Sequence, residues 1–166
     1  MTATQRLPAF KAYDIRGRLP EQLNPFMVHC IGRAYARIIR PQGPVAVGRD
    51  IRESSPELSR ALISGLNAEG VAVVDIGLCG TEMVYFAAAR PGMGGGIMVT
   101  ASHNPADYNG LKMVRAESRP VSGDTGLQAI EAETLGLMGQ LDSQDLPAPQ
   151  ADLLREENIL DAYVSL

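Results

Sequence analysis

Apolar residues recur along the chain in two alternating patterns, a helical period of three to four residues and short unbroken runs. The helical period occupies four segments, at residues 24–41, 55–70, 81–89 and 124–141. A capping residue or a proline usually opens such a segment, and Asn24 is expected to cap the first one. Short apolar runs typical of buried strands lie at residues 44–47, 71–77, 96–100 and from 111 onward. Strands that alternate with helices of this length predict an α/β layered sandwich, in which helices flank a mixed, mostly parallel sheet.

The last part of the sequence predicts a connection. Residues 142–150 are polar and contain two prolines, as in a linker. Residues 154–166 have the spacing of a last helix. Earlier in the chain, Thr81 is expected to cap the third helix. We therefore divide the chain into an α/β domain at residues 1–140 and a linker at 141–166 that leads toward a second domain. Because the C-terminal end is apolar, we also expect weak self-association through it.

The composition narrows the classes of partner and compartment. With 15 basic and 19 acidic residues, the net charge of −4 gives no electrostatic reason to expect binding to nucleic acid or to an anionic membrane. The two cysteines form neither a disulfide framework nor a metal-ligand spacing. The N-terminus lacks the apolar core of a signal peptide, and no apolar run approaches the ~18 residues of a membrane span. We therefore expect a cytoplasmic protein.

The polar loop after the apolar run at 96–100 carries the residues best placed for chemistry. Ligands of open α/β sheets gather at the carboxyl ends of strands, so Ser102 lies where an oxygen nucleophile can be exposed, and Lys112 can reach back from the next strand. The residues alone leave other interpretations open. His103 is a poor base for Ser102 because neighbouring side chains on an extended segment point apart, and no G-x-S-x-G elbow supports a serine hydrolase. A plain polar turn between two strands also fits.

The complete string, TASHNP at 100–105 followed by DYNGLK at 107–112, resembles the active-site serine loop of the α-D-phosphohexomutase superfamily. The resemblance implies that Ser102 is carried phosphorylated and that His103 and Asn104 support the same loop. It also implies that Lys112 takes part in proton transfer at the sugar hydroxyl.

Two further segments resemble the same superfamily. FKAYDIRG at Phe10–Gly17 matches its N-terminal motif, and GRD at Gly48–Asp50 matches a loop near its serine. The resemblance implies that Tyr13, Arg16 and Arg49 contact phosphate or substrate, as arginine forks suit phosphate oxygens. We therefore expect the two arginines to converge with the serine loop and Lys112 on one solvent-open pocket.

The resemblance also implies a reaction and its cofactors. It predicts a domain of a hexose-phosphate mutase that interconverts mannose 6-phosphate and mannose 1-phosphate through a phosphoserine and a hexose 1,6-bisphosphate, which also serves as activator. One Mg²⁺ would bind Ser102 through its phosphate, with its carboxylate ligands on a second domain. The sequence contains no D-x-D-x-D segment, so we expect the chain alone to be inactive. A phosphoglucomutase-type parent and a non-catalytic fragment that binds phosphate or sugar phosphate remain open.

Overall fold

A mixed sheet of six strands forms the centre of the structure, a computed structural model that describes residues 5–165. The spatial order of the strands is β1-β5-β4-β2-β3-β6. β2, β3, β4 and β6 pair in parallel, whereas β5 runs antiparallel to both of its neighbours. This confirms the predicted fold class. The strands are β1 (Ile15–Arg18), β2 (Val45–Arg49), β3 (Val73–Leu78), β4 (Gly95–Val99), β5 (Tyr108–Arg115) and β6 (Leu154–Glu156).

Helices cover both faces of this sheet. They are α1 (Pro25–Ile39), α2 (Ser55–Ala68), α3 (Thr81–Ala89), α4 (Leu127–Gln140) and α5 (Leu160–Val164). α1 packs against α2 and α4, while α3 contacts β2, β4 and α5. The Asn24 side chain accepts a hydrogen bond from the Met27 amide at 2.9 Å, which confirms it as the cap of α1. Thr81 was expected to cap α3, but it is the first helical residue, and Gly80 occupies the cap position.

Two apolar clusters form the core. The larger includes Ile15, Ile97 and Leu111 together with residues of α1, α2 and α4. The smaller joins the opposite face of the sheet, through residues such as Met98, to α3. Successive strand residues alternate between the two clusters because their side chains point to opposite faces of the sheet. No helix in the described part of the chain is long and apolar enough to cross a membrane.

The predicted helix at 154–166 is wrong in its first half. Leu154–Glu156 forms β6 and pairs in parallel with β3, because the open edge of that strand offers unpaired main-chain donors and acceptors. Only α5 is helical, and Ile159 just before it is 1% exposed in the smaller cluster. Part of residues 141–166 therefore packs on the same sheet, and the division at residue 140 stays a prediction. Leu166 lies outside the described residues.

Candidate active site

The serine loop lies at the edge of the sheet where β4 ends and β5 begins. Val99 pairs with Leu111, and the Thr100 amide donates to Gly110 O at 2.9 Å, which closes the loop between the two strands. The carboxyl ends of β1 and β2 lie at the same edge, since Arg18 is opposite Tyr108 and Arg49 is level with Val99. The predicted position of the loop at a strand end is thus what the structure shows.

Ser102 is exposed and has a left-handed backbone, with φ of 56°. Residues with a side chain seldom adopt this conformation, and where they do the surrounding structure imposes it. The Ser102 amide donates to Thr100 Oγ1 at 3.0 Å, whereas its own Oγ makes no hydrogen bond with any described residue. His103 beside it is exposed, and Asn104 Nδ2 donates to Ala101 O at 2.7 Å within the loop. The serine hydroxyl is therefore presented to solvent by a braced turn.

Arg52, which is not among the predicted site residues, provides most of that bracing. Its guanidinium donates to four main-chain carbonyls of the segment 102–108, and its side chain is only 13% exposed. A signal for this contact existed in the sequence, because Arg52 follows β2 by three residues and the serine loop follows the neighbouring strand β4. Its four acceptors are Ser102 O (3.0 Å), Asn104 O (2.6 Å), Pro105 O (2.6 Å) and Tyr108 O (3.0 Å).

Asp50 joins the loop after β2 to the serine loop. Its Oδ2 accepts from Thr100 Oγ1 at 2.8 Å, and its Oδ1 accepts from Ser55 Oγ at 2.6 Å and from the Arg52 amide at 3.1 Å. Buried Asn109 donates to Ser55 Oγ at 3.0 Å from the other side. These polar groups satisfy one another, so the two loops form one continuous network.

Asp14 brings two of the predicted site residues together. Its Oδ1 lies 3.1 Å from Arg16 Nε, and its Oδ2 lies 3.3 Å from Lys112 Nζ. Arg16 is opposite Gly110 in the register of β1 and β5, so Arg16 and Lys112 project from the same face of the sheet. Tyr13, next to this carboxylate, is 80% exposed. Asp14 is 12% exposed and was not among the predicted site residues, because its partner Lys112 lies 98 positions away in the sequence.

Arg49 lies in a different part of the same sheet edge. Its Nη1 is 3.6 Å from Asp75 Oδ1 on the neighbouring strand β3. Together with Leu78 and Leu160 it lines an open hollow of about 510 Å³ between β3 and the C-terminal segment. Arg49 is the one predicted site residue among the described residues that line this hollow, and neither Ser102 nor Lys112 reaches it. The structure therefore brings Arg16 and Lys112 together near the serine loop, and it places the Arg49 side chain with Asp75.

Carboxylates at this edge are already paired with protein donors. Asp14 faces a lysine and an arginine, and Asp50 accepts from two hydroxyls and a main-chain amide. Within residues 5–165, no three His, Cys, Asp or Glu side chains cluster closely enough to hold a metal ion. The described residues therefore do not fit a complete magnesium site.

Residues 7–137 match the family model described as phosphoglucomutase/phosphomannomutase, alpha/beta/alpha domain I. The chain belongs to the phosphoglucomutase/phosphomannomutase family. This confirms the resemblance that the serine-loop string carried. The fold agrees with it, since a phosphoglucomutase/phosphomannomutase family protein from Burkholderia thailandensis superposes with a TM-score of 0.77 at 37% identity, over 95% of this chain and 34% of that one.

Curated relatives from three bacteria show how much of a family member the chain represents. It is 46% identical over 160 residues to a phosphomannomutase of Escherichia coli K12, covering 96% of this chain and 34% of the relative. It is 59% identical over 124 residues to phosphohexose mutases of Xanthomonas campestris, covering 75% of this chain and 28% of the relative. A phosphomannomutase of Klebsiella pneumoniae, 48% identical over 159 residues, is matched over 96% of this chain and 98% of its own length. The chain thus spans about a third of the first two relatives.

Proposed function

We propose that this chain is the phosphoserine-bearing domain of a hexose-phosphate mutase that interconverts mannose 6-phosphate and mannose 1-phosphate. The observation that carries the proposal is the exposed Ser102, whose hydroxyl makes no hydrogen bond with any described residue and whose backbone is braced at φ 56°. Support for mannose comes from relatives that bear the name phosphomannomutase. The family also includes phosphoglucomutases, so glucose phosphate is the alternative substrate.

In this proposal Ser102 carries a phosphoryl group between the two positions of the sugar. The bond between phosphorus and Ser102 Oγ breaks as a bond forms to the free hydroxyl of a hexose monophosphate, and the hydroxyl proton passes to a base. The resulting hexose 1,6-bisphosphate returns its other phosphoryl group to Ser102 Oγ. Such a transfer makes little covalent demand on the protein, which must position the groups and neutralise their charge. The bisphosphate would also act as activator, since it reloads the serine.

Lys112 is the proposed group for proton transfer at the sugar hydroxyl. The Lys112 side chain is 30% exposed, and its Nζ lies 3.3 Å from Asp14 Oδ2, so the carboxylate fixes the position of the amine. Arg16, whose Nε contacts the same carboxylate, has a side chain that is 40% exposed, and its terminal guanidinium nitrogens donate to no other described residue. In this proposal they bind a phosphate. Asp14 is therefore a positioning residue for both cations.

Four more residues have proposed parts. His103 is exposed beside Ser102 and can donate to a phosphoryl oxygen, and Asn104 keeps the turn closed. Tyr13 offers an exposed ring and hydroxyl to the sugar. Arg49 can serve as a phosphate contact after its guanidinium leaves Asp75, an ion pair that is already long at 3.6 Å. A phosphoserine brings up to two negative charges, which is why several cations are needed nearby.

We further propose that the phosphate carried by Ser102 would hold one Mg²⁺, which would supply positive charge to offset the negative charge concentrated there. The described residues supply no carboxylate cluster for its other ligands, which must then come from elsewhere. For the same reason we propose that the 166-residue chain by itself binds phosphate or sugar phosphate without turnover.

A coupled assay on mannose 1-phosphate, with glucose 1,6-bisphosphate and Mg²⁺ present, tests the proposal. The complete mutase that we propose contains this domain, here called the full-length product, should be active. Its Ser102→Ala variant should have a kcat lowered at least ~1000-fold because the phosphoryl carrier is gone. Lys112→Met should lower kcat as well, by about 100-fold or more. A full-length protein inactive on both mannose and glucose phosphates would overturn the proposed function. Turnover by the 166-residue chain alone would overturn its proposed inactivity.

A further inference from the structure

The Arg52 guanidinium is directed entirely at the protein. An arginine has five N–H donors in a rigid fork. Here its two terminal nitrogens donate to the four carbonyls of the serine loop, and its Nε faces Asp50 Oδ2 at 3.4 Å. No donor of this arginine is left for a phosphate, although it stands beside the serine proposed to carry one. Its part in the site must therefore be exerted through the loop.

Both main-chain polar atoms of Ser102 are held by side chains. Its carbonyl accepts from Arg52 Nη2 at 3.0 Å, and its amide donates to Thr100 Oγ1 at 3.0 Å. The Thr100 hydroxyl is oriented in turn by Asp50 Oδ2 at 2.8 Å. The peptide groups on both sides of Ser102 are thus fixed by the same network, and they fix its φ of 56° between them.

We propose that Arg52, supported by Asp50, is the positioning residue that keeps Ser102 in the left-handed conformation from which its Oγ exchanges the phosphoryl group. The inference rests on the proposed function for its catalytic consequence. An L-residue is disfavoured in this conformation because its Cβ comes close to the following carbonyl oxygen, so Ser102 without its braces would return to the common backbone regions. Its Oγ would then move away from the line of transfer, and a displacement of ~1 Å can cost about 100-fold in rate.

Steady-state kinetics of the full-length product separate positioning from substrate binding. For Arg52→Ala we expect kcat to fall about 10-fold to 100-fold while KM for the hexose phosphate changes less than about twofold. Added guanidinium should restore part of kcat in Arg52→Ala. Arg52→Lys should remain impaired, because an ammonium cannot reproduce the fork. A raised KM with unchanged kcat would show that Arg52 binds substrate phosphate and would overturn the proposal, as would full activity of Arg52→Ala.

Arg60→Ala is the matched control. Arg60 lies on α2, is exposed, and its side chain makes no hydrogen bond with another described residue, so its loss removes the same charge without touching the serine loop. We expect its kcat and KM to equal those of the unmodified protein. If Arg60→Ala and Arg52→Ala lower kcat equally, the effect is one of net charge and the proposal fails.

A measurement on the 166-residue chain tests the positioning without any catalysis. Amide hydrogen exchange and ¹⁵N relaxation should show residues 102–108 loosened in Arg52→Ala while β2 and β4 keep their protection. If Arg52→Ala does not fold, Thr100→Val removes only the hydroxyl that accepts from the Ser102 amide, and we expect it to loosen the same loop. A loop that stays rigid in the folded variants would overturn the proposal even if the protein is a mutase. A loosened loop would support it even if the mutase assay fails.

Discussion

Replacing Gly110 with alanine tests how closely β1 must approach the start of the serine loop. An ideal Cβ on Gly110 would lie 2.1 Å from Ile15 O on β1 and 3.0 Å from both Arg16 Cγ and Thr100 O. An ordinary contact needs about 3.5 Å, so β1 would have to move by more than about 1 Å. The clashing atom belongs to the main chain, and no side-chain rotation can relieve it.

We expect Gly110→Ala to lower the free energy of unfolding by about 2–3 kcal/mol, the upper part of the usual range for overpacking. For a chain of this length that corresponds to a fall in Tm of about 5–10 °C. The displacement of β1 should also part Asp14 from Lys112, which now lie 3.3 Å apart. In the full-length product we therefore expect Gly110→Ala to lower kcat as well, even under conditions where the variant stays folded.

Urea and thermal unfolding of the 166-residue chain measure the stability term. Gly136→Ala is the matched control, since this helical glycine on α4 has nothing within 4 Å of its Cβ position. Alanine has a higher propensity for a helix interior than glycine has, so Gly136→Ala should raise the free energy of unfolding by about 0.5–1 kcal/mol. Opposite signs for the two substitutions support the packing argument. A Gly110→Ala protein within about 0.5 kcal/mol of the unmodified chain would refute it.

Three further predictions concern the C-terminal segment and the serine turn. Ile159 is 1% exposed, so Ile159→Ala should lower the free energy of unfolding in urea by about 2–4 kcal/mol. Val164 is 66% exposed, so Val164→Ala should lower it by less than about 0.5 kcal/mol. Equal losses would contradict the docking of this segment. Ser102→Gly should have a free energy of unfolding about 1 kcal/mol higher than that of Ser102→Ala, because glycine adopts a φ of 56° without strain. The reverse order of stability would contradict backbone strain at this residue. The hydrogen bond from Arg90 lowers the pKa of Glu157 below its ordinary value of 4.5. The ionised Glu157 side chain therefore stabilises the fold above pH 4.5, and this stabilisation is lost as the pH falls through the lowered pKa. Acid unfolding curves of the chain and of Glu157→Gln should therefore converge toward low pH, and parallel curves would contradict this.

Local patterns were sufficient to predict most of the fold. The helical period placed α1 and α2 within a few residues of their observed bounds, and Asn24 caps α1 as expected. The apolar runs placed β2, β3 and β4 because buried parallel strands are continuously hydrophobic. β6 could not be found in this way. Three residues carry no period of their own, and they become a strand only because the edge of β3 is open to them.

The candidate site was predictable only as far as a local string describes it. The TASHNP string located Ser102 at a strand end, but the groups that brace it come from the loop after another strand, about 50 residues earlier. Asp14 and Arg52 act through long-range contacts, to Lys112 and to the serine loop. The position of Arg52 just after β2 indicated only that it lies near that loop, and it did not indicate which carbonyls its guanidinium binds. Arg49 shows the converse. Its motif suggested a place beside Ser102, yet the nearest carboxylate, Asp75, holds its side chain.

The most direct test of the account is to locate the phosphoryl group. The full-length product, incubated with glucose 1,6-bisphosphate, should carry one phosphoryl group on the peptide that contains Ser102, as peptide mass spectrometry can show. A chase with mannose 6-phosphate should remove it, and the Ser102→Ala protein should never acquire it. Phosphate on another residue with Ser102 bare, or an equally labelled Ser102→Ala protein, would contradict the account at its centre.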